Sequence, residues 1–139
     1  MIDQMLAEAR SRISRCLPAE AAIADGILLV DLRSTDERRE HGVIPGSVHV
    51  PRSVLEWRAD PASSSHNSEL AGRKLVLVCA QGYSSSLAAA NLVELGVDAG
   101  DLDGGFEAWA AAGLPVGVGS TELTKRRRRL GRRRSSKHE

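Results

Sequence analysis

Apolar residues along this chain follow two patterns that alternate with each other. Two short, nearly continuous apolar runs, ILLVDLR at 27–33 and KLVLVCA at 74–80, are typical of strands that are covered on both faces. Shorter strands are predicted within 12–17, at 47–50 and at 99–102. Helical spacing is found at 1–11, 18–26, 34–42, 52–60, 84–96 and 106–113. Strands that alternate with helices in this way predict an α/β fold with a mainly parallel sheet and right-handed crossovers.

The same pattern predicts which faces of the helices are buried. The segment STDERREHG is mostly charged, so a short helix exposed to solvent is expected at 34–42. In RSVLEWRAD, Val54 and Leu55 are expected to face the core, and Trp57 is a further candidate. Trp57 and Arg58 are also candidates for the rim of a pocket. For the helix at 84–96 the expected apolar side consists of Leu87, Ala90, Asn91 and 93–95.

The composition is that of one globular domain. Of the 139 residues, 42% are hydrophobic and 3% are aromatic, so the core must consist mainly of Leu, Val, Ile and Ala. The two cysteines, Cys16 and Cys79, and the four histidines have no metal-ligand spacing, so neither a metal nor another cofactor is expected. A reducing compartment is the simpler assumption. The N-terminus has no signal-peptide pattern and no apolar run reaches the roughly 18 residues of a membrane span, so a soluble, cytoplasmic protein is expected.

The net charge of +1 conceals a strong asymmetry. Residues 125–139 contain nine Lys/Arg and one Glu, whereas residues 1–124 contain ten Lys/Arg and 17 Asp/Glu. These counts suggest a basic, disordered tail at 118–139, and the helical spacing at the start of the chain suggests a helical extension at 1–10. The tail is a candidate for contact with a polyanion, and the alternatives are a solvated segment or one that docks on the acidic domain.

Cys79 is the main candidate for chemistry, because it follows the apolar run at 74–78 and precedes a helix. Ligands of parallel sheets bind beyond the carboxyl ends of the strands. Free N–H groups of the first helical turn and of a curled loop can form an anion-binding nest, which would lower the pKa of a thiol at its centre. The alternative is a cysteine buried as a small apolar residue, with the serines acting as helix caps. The candidate site residues are Cys79, Ala80, Gln81, Gly82, Tyr83, Ser84 and Ser85.

Three ordered motifs resemble those of single-domain rhodanese-like sulfurtransferases. They are LLVDLRSTDERREHGVIPGSVHVP, LVLVCAQGYSSSLAAANLVELG and DLDGGFEAWAAAGLPV. The resemblance covers residues 11–117, which are expected to form the folded domain, and implies a three-layer α/β fold with a five-stranded sheet between helices. It also implies that Cys79 takes a sulfur atom from a donor, such as thiosulfate or a thiol persulfide, and passes it as a persulfide to cyanide or a thiol. Backbone N–H groups of residues 80–84 would hold the anionic sulfur, and Asp31 and Arg33 would brace neighbouring loops.

The loop departs from the family pattern at two positions. Many active members carry Arg at the sixth loop position and a basic residue at the second, where this chain has Ser84 and Ala80. Because charge-assisted contacts are about twice as strong as neutral ones, we expect weak turnover of thiosulfate and better use of a less charged donor. The Cys-x5-Arg motif of cysteine-dependent phosphatases is missing, since Ser85 occupies the Arg position. A non-catalytic binding or sulfur-sensing module is the alternative function.

Overall fold

The computed structural model describes residues 1–118 and has a five-stranded sheet in the order β1-β5-β4-β2-β3. Every pair of neighbouring strands is parallel. The strands are β1 (Ser14–Cys16), β2 (Ile27–Asp31), β3 (Val48–His49), β4 (Lys74–Val78) and β5 (Ala99–Leu102). The predicted α/β class and parallel five-stranded sheet are therefore confirmed. The predicted tail lies outside the described residues from residue 119 onward.

Helices connect the strands and cover the sheet. They are α1 (Ile2–Ser11), α2 (Pro18–Ile23), α3 (Thr35–His41), α4 (Leu55–Ala59), α5 (Ser84–Glu94) and α6 (Gly105–Ala111), with 3-10 turns at Arg52–Val54 and Ser68–Leu70. Within residues 1–118, no helix has the length and apolar character needed to cross a membrane.

The central strand β4 separates two hydrophobic cores. Leu75 and Leu77 pack with residues of α4 and α5 on one face, whereas Val76 and Val78 pack with residues of α2 and α6 on the other. Side chains of a strand alternate between its two faces, so a continuous apolar run is buried on both. This arrangement confirms the predicted three layers.

The predicted faces of three helices need correction. Arg38 of α3 is 6% exposed, because its guanidinium bonds to a buried carboxylate, so this helix is not simply solvated. Trp57 is 60% exposed and does not enter the core. Helix α5 packs against both the sheet and α1, which buries a broader and different face from the one predicted, and Asn91, Glu94 and Leu95 are exposed. The buried residues of α5 are Ser85, Ser86, Ala88, Ala89, Ala90 and Leu92.

Candidate active site

Cys79 directly follows β4, and its sulfur lies at the start of α5. The residue is 7% exposed, and Sγ accepts hydrogen bonds from the N–H groups of Gly82 at 3.1 Å and Ser85 at 3.4 Å. Of the predicted donors at residues 80–84, Gly82 therefore bonds to the sulfur, and Ser85 is an additional donor. Two N–H groups converging on one sulfur atom form a site for an anion.

The loop directs its N–H groups inward because its carbonyl groups are held outside. The carbonyl oxygens of Cys79 and Ala80 accept hydrogen bonds from the N–H groups of Phe106 at 2.8 Å and Glu107 at 3.0 Å, at the start of α6. Gly82 has a φ of 85°, a value that favours glycine, and a Cβ there would lie 2.8 Å from the nitrogen of Gly104. Glycine is thus required both by the backbone angle and by the neighbouring turn.

Hydrogen bonding favours the ionised form of Cys79. Burial of the sulfur opposes ionisation, but the hydroxyls of Ser85 and Ser84 and the N–H groups of Ser85 and Gly82 outweigh it and lower the pKa of Cys79. The other thiol has the opposite tendency, since burial and the nearby Glu20 raise the pKa of Cys16. Of the two thiols, Cys79 is the stronger candidate for a nucleophile.

A buried carboxylate, which the sequence did not identify, lies behind the loop. Asp101 is fully buried, and its Oδ2 accepts 2.8 Å hydrogen bonds from the hydroxyls of Ser85 and Ser86. The Ser85 oxygen is also 3.2 Å from the sulfur of Cys79. A hydroxyl has only one proton to donate. When Cys79 is a thiol, Ser85 accepts the thiol proton and donates its own to Asp101; when Cys79 is a thiolate, Ser85 can donate to the sulfur.

The serines do not cap α5, in contrast to the alternative derived from the sequence. The helix begins at Ser84, its N-cap is Tyr83, and no side chain bonds at this cap. Ser85 and Ser86 are buried because Asp101 accepts both hydroxyl protons. The one feature of the sequence that could have indicated this buried carboxylate is the presence of an acidic residue, Asp101, inside the otherwise apolar β5.

Asp31 and Arg33 form a buried cluster at the carboxyl end of β2. Asp31 is 2% exposed and bonds to the guanidinium groups of Arg33 at 2.9 Å and Arg38 at 2.7 Å. Arg33 also donates to the carbonyl of Gly42 at 2.7 Å and stacks on the Phe106 ring, 3.9 Å from its centroid. These contacts connect the loop after β2 to α3 and to the start of α6.

A cavity of about 370 Å³ adjoins the cysteine loop at Ala80. It is lined by Arg33, Glu37, His41, Ala80, Phe106, Glu107 and Ala110. The other loop residues, Gln81, Tyr83 and Ser84, are exposed and uncharged. Gln81 faces Glu107, and Tyr83 lies under the guanidinium of Arg10. Trp57 contributes to a different cavity near Glu94 and Leu95, at the opposite end of α5, so it does not line the sulfur site. Arg58 is exposed and donates to the carbonyl of Ser65.

These features define a class of α/β proteins that hold an activated cysteine in an anion-binding loop after a central strand. The family model of the rhodanese-like domain matches residues 18–112. The chain therefore belongs to the rhodanese-like domain family, as the motifs predicted.

Several solved structures are similar to this chain. A protein of unknown function from Rhodopseudomonas palustris, described as a possible tyrosine phosphatase, is 35% identical with a TM-score of 0.78, over 84% of this chain and 93% of that one. A rhodanese-related protein from Thermoplasma volcanium is 26% identical with a TM-score of 0.60, over 74% and 97%. The thiosulfate sulfurtransferase from Pseudomonas aeruginosa is 27% identical with a TM-score of 0.64, over 78% of this chain and 20% of that one. No curated protein matches the chain.

Proposed function

We propose that this protein is a sulfurtransferase that carries a sulfane sulfur on Cys79. The observation that supports the proposal most directly is the environment of the sulfur atom. It accepts hydrogen bonds from two backbone N–H groups, and the pKa of the Cys79 thiol is lowered. The thiolate attacks the outer sulfur of the donor, so that an S–S bond forms at Cys79 while the bond between that sulfur and the donor breaks. The donor leaves with the electron pair, as sulfite or as a thiolate.

The second half of the reaction regenerates the enzyme. A thiolate or cyanide acceptor attacks the outer sulfur of the Cys79 persulfide, and the Cys79 thiolate leaves with the electron pair. The loop N–H groups stabilise the same anion before and after each transfer. Since sulfur passes between nucleophiles, the cycle needs neither an oxidant nor a bound cofactor.

The charges around the loop favour a thiol persulfide over thiosulfate as the donor. Ala80 and Ser84 are uncharged, and the cavity beside Ala80 contains the carboxylates Glu37 and Glu107. The guanidinium of Arg33, which lines the same cavity, is already paired with Asp31. A dianion such as thiosulfate therefore meets no unpaired cation of the loop, and a donor of lower charge fits this surface better.

The description of the Rhodopseudomonas palustris protein raises phosphotyrosine hydrolysis as a second candidate. In this chain Ser85 stands at the position where phosphatase loops carry Arg, and its hydroxyl is used by Asp101. Arg10 and Arg15 approach the loop, but both donate to the Gly82 carbonyl, and Arg15 is also paired with Asp101. The geometry therefore supports sulfur transfer more strongly than phosphoryl transfer.

The decisive experiment is intact mass spectrometry after incubation with thiosulfate or with a small thiol persulfide. A gain of one sulfur atom by the wild type and by Cys16→Ser, but not by Cys79→Ser, is the expected result, with the thiol persulfide as the better donor. Failure of both donors to modify a folded protein would refute the enzymatic proposal and favour a non-catalytic binding module. Release of phosphate from a phosphotyrosine peptide would favour the second candidate.

For the basic segment at 125–139, which lies outside the described residues, we propose contact with a polyanion. Its nine Lys/Arg support this interaction. Deletion of 125–139 should abolish retention on heparin at low salt, and unchanged retention would refute the proposal. A cytoplasmic location is proposed on the basis of the two free thiols.

A further inference from the structure

Two arginines from the N-terminal segment contact the outer side of the cysteine loop. Arg10 of α1 and Arg15 of β1 both donate to the carbonyl oxygen of Gly82, at 2.7 Å and 3.0 Å. Both residues precede residue 18, where the match to the family model begins. The family match therefore does not account for these contacts.

Arg15 also pairs with the carboxylate behind the loop. Its Nε and Nη2 donate to the two carboxylate oxygens of Asp101 at 2.9 Å and 3.2 Å, and its Nη1 donates to Asp103 at 3.1 Å. This contact with Asp101 is a bidentate pair, in which planar guanidinium geometry matches the carboxylate. Arg15 thus compensates a fully buried negative charge whose other partners, Ser85 and Ser86, are neutral.

Arg10 contacts the same loop through two further groups. Its Nε lies 3.0 Å from the Ser86 hydroxyl, and its guanidinium stacks over Tyr83, 5.8 Å from the ring centroid. The Gly82 carbonyl is consequently held by two cations. Gly82 thus bonds to two cations through its carbonyl oxygen and to Cys79 through its N–H, so contacts that fix this residue help to keep its N–H at the sulfur.

We propose that Arg10 and Arg15 are positioning residues of the sulfur site, which supply from the N-terminal segment the positive charge that the loop lacks at Ser84. They act through Gly82 and Asp101 and do not touch the transferred sulfur. The inference rests on the proposed function in one respect, namely that ionised Cys79 is the form that attacks the donor. The contacts of Arg10 and Arg15 themselves concern the stability of the thiolate and do not depend on which donor is used.

The charge balance predicts a specific pattern of effects. Without Arg15, Asp101 becomes an unpaired buried anion close to the sulfur, which opposes ionisation of Cys79. If Asp101 is neutralised as well, this repulsion disappears. The charged and titratable groups around the loop are Arg10, Arg15, Arg33, Glu37, His41, Asp101, Asp103 and Glu107.

The test is the pH dependence of Cys79 alkylation by iodoacetamide, in a Cys16→Ser background. Arg15→Gln should lower the thiolate fraction near neutral pH about tenfold, which corresponds to one pH unit in the profile. Arg15→Gln combined with Asp101→Asn should recover most of that loss. Arg10→Gln should lower the fraction about threefold, and Arg10→Lys should restore part of it. The matched control is Arg12→Gln, because Arg12 is exposed and its side chain makes no hydrogen bond within residues 1–118.

Thermal unfolding of each variant separates a loss of folding from a change at the sulfur. The proposal is overturned if folded Arg10→Gln and the folded Arg15 variants keep the wild-type pH profile, or if Arg12→Gln shifts it equally. Should Arg15→Gln fail to fold, Arg10→Gln and the double variant decide the question. The two proposals can fail separately. If the wild type accepts sulfur from neither donor but these variants shift the alkylation profile as expected, the proposed function is refuted and this inference stands.

Discussion

Replacement of Asp31 by asparagine tests whether the cluster at the end of β2 holds the loops around the site. The carboxylate is 2% exposed and accepts four hydrogen bonds, from the N–H, Nε and Nη2 of Arg33 at 3.0, 3.1 and 2.9 Å and from Nη1 of Arg38 at 2.7 Å. Asn at this position removes the charge that compensates two buried guanidinium groups. Breaking a buried ion pair in this way costs about 3–5 kcal/mol, a large share of the roughly 5–15 kcal/mol that stabilises a typical domain.

The effect of Asp31→Asn must also depend on pH in a defined direction. Burial opposes ionisation of Asp31, but its bonds to Arg33 and the charge of Arg38 outweigh this and lower the pKa of Asp31 in the folded state. A lowered folded pKa contributes stability above the unfolded value of about 3.9, and this contribution is lost as the pH falls through the folded pKa. The difference between wild type and variant should therefore be largest near neutral pH and shrink in acid.

The assay is urea denaturation of both proteins near neutral pH and in acid. Asp36→Asn is the control, because Asp36 is 94% exposed and lies 3.7 Å from Arg39 in a surface pair, so its replacement should leave the midpoint nearly unchanged. If Asp31→Asn lost as little stability near neutral pH as the control does, the proposed role of Asp31 in holding these loops would be refuted. The role would also be refuted if the difference in stability between the wild type and Asp31→Asn became larger in acid.

Three further changes address the sulfur site. Gly82→Ala should lower the free energy of unfolding by at least the roughly 1–2 kcal/mol of a left-handed backbone, as measured by denaturation. It should also reduce sulfur loading, as measured by intact mass, because the loop must move away from Gly104. Ser85→Ala should shift the alkylation profile of Cys79 about one pH unit upward, and an unshifted profile would contradict the hydroxyl's role. Ser84→Arg should raise kcat/KM for thiosulfate in a thiocyanate assay but not for a neutral persulfide; equal gains would argue against charge as the limiting factor.

The sheet and the position of Cys79 were predictable because their signals are local. A buried strand of a parallel sheet has a continuous apolar run, and the cysteine directly follows one of these runs. The Gly and small residues that let the loop curl lie within the next few positions. The loop and its attacking atom therefore followed from one short stretch of the chain.

The remaining parts of the site depend on contacts between distant segments. Asp101 faces Arg15 because β1 and β5 pair in a particular register, in which Arg15 lies beside Asp101 across 86 positions of sequence. No periodicity in either segment specifies that register. For the same reason the sequence leaves helix capping open as an alternative role of the serines, since the carboxylate that accepts the protons of Ser85 and Ser86 is absent from the local sequence.

The faces of α3 and α5 illustrate a related difficulty. Hydrophobic spacing assumes that apolar side chains are buried and charged ones are exposed. Arg38 violates this assumption because Asp31 requires a second cation, and α5 violates it because small and polar side chains let it approach the sheet and α1 closely. Both departures belong to the parts of the fold that support the cysteine loop.

The cysteine loop takes its contacts from both ends of the folded region, with Arg10 and Arg15 on one side and Phe106 and Glu107 on the other. An incomplete or unfolded chain lacks these partners, and its Cys79 is then an ordinary thiol of weak nucleophilicity. Reactivity at this residue is therefore a property of the finished tertiary structure. Docking of the first and last elements is therefore part of what lowers the pKa of this thiol, and the pH dependence of Cys79 alkylation distinguishes native from unfolded molecules.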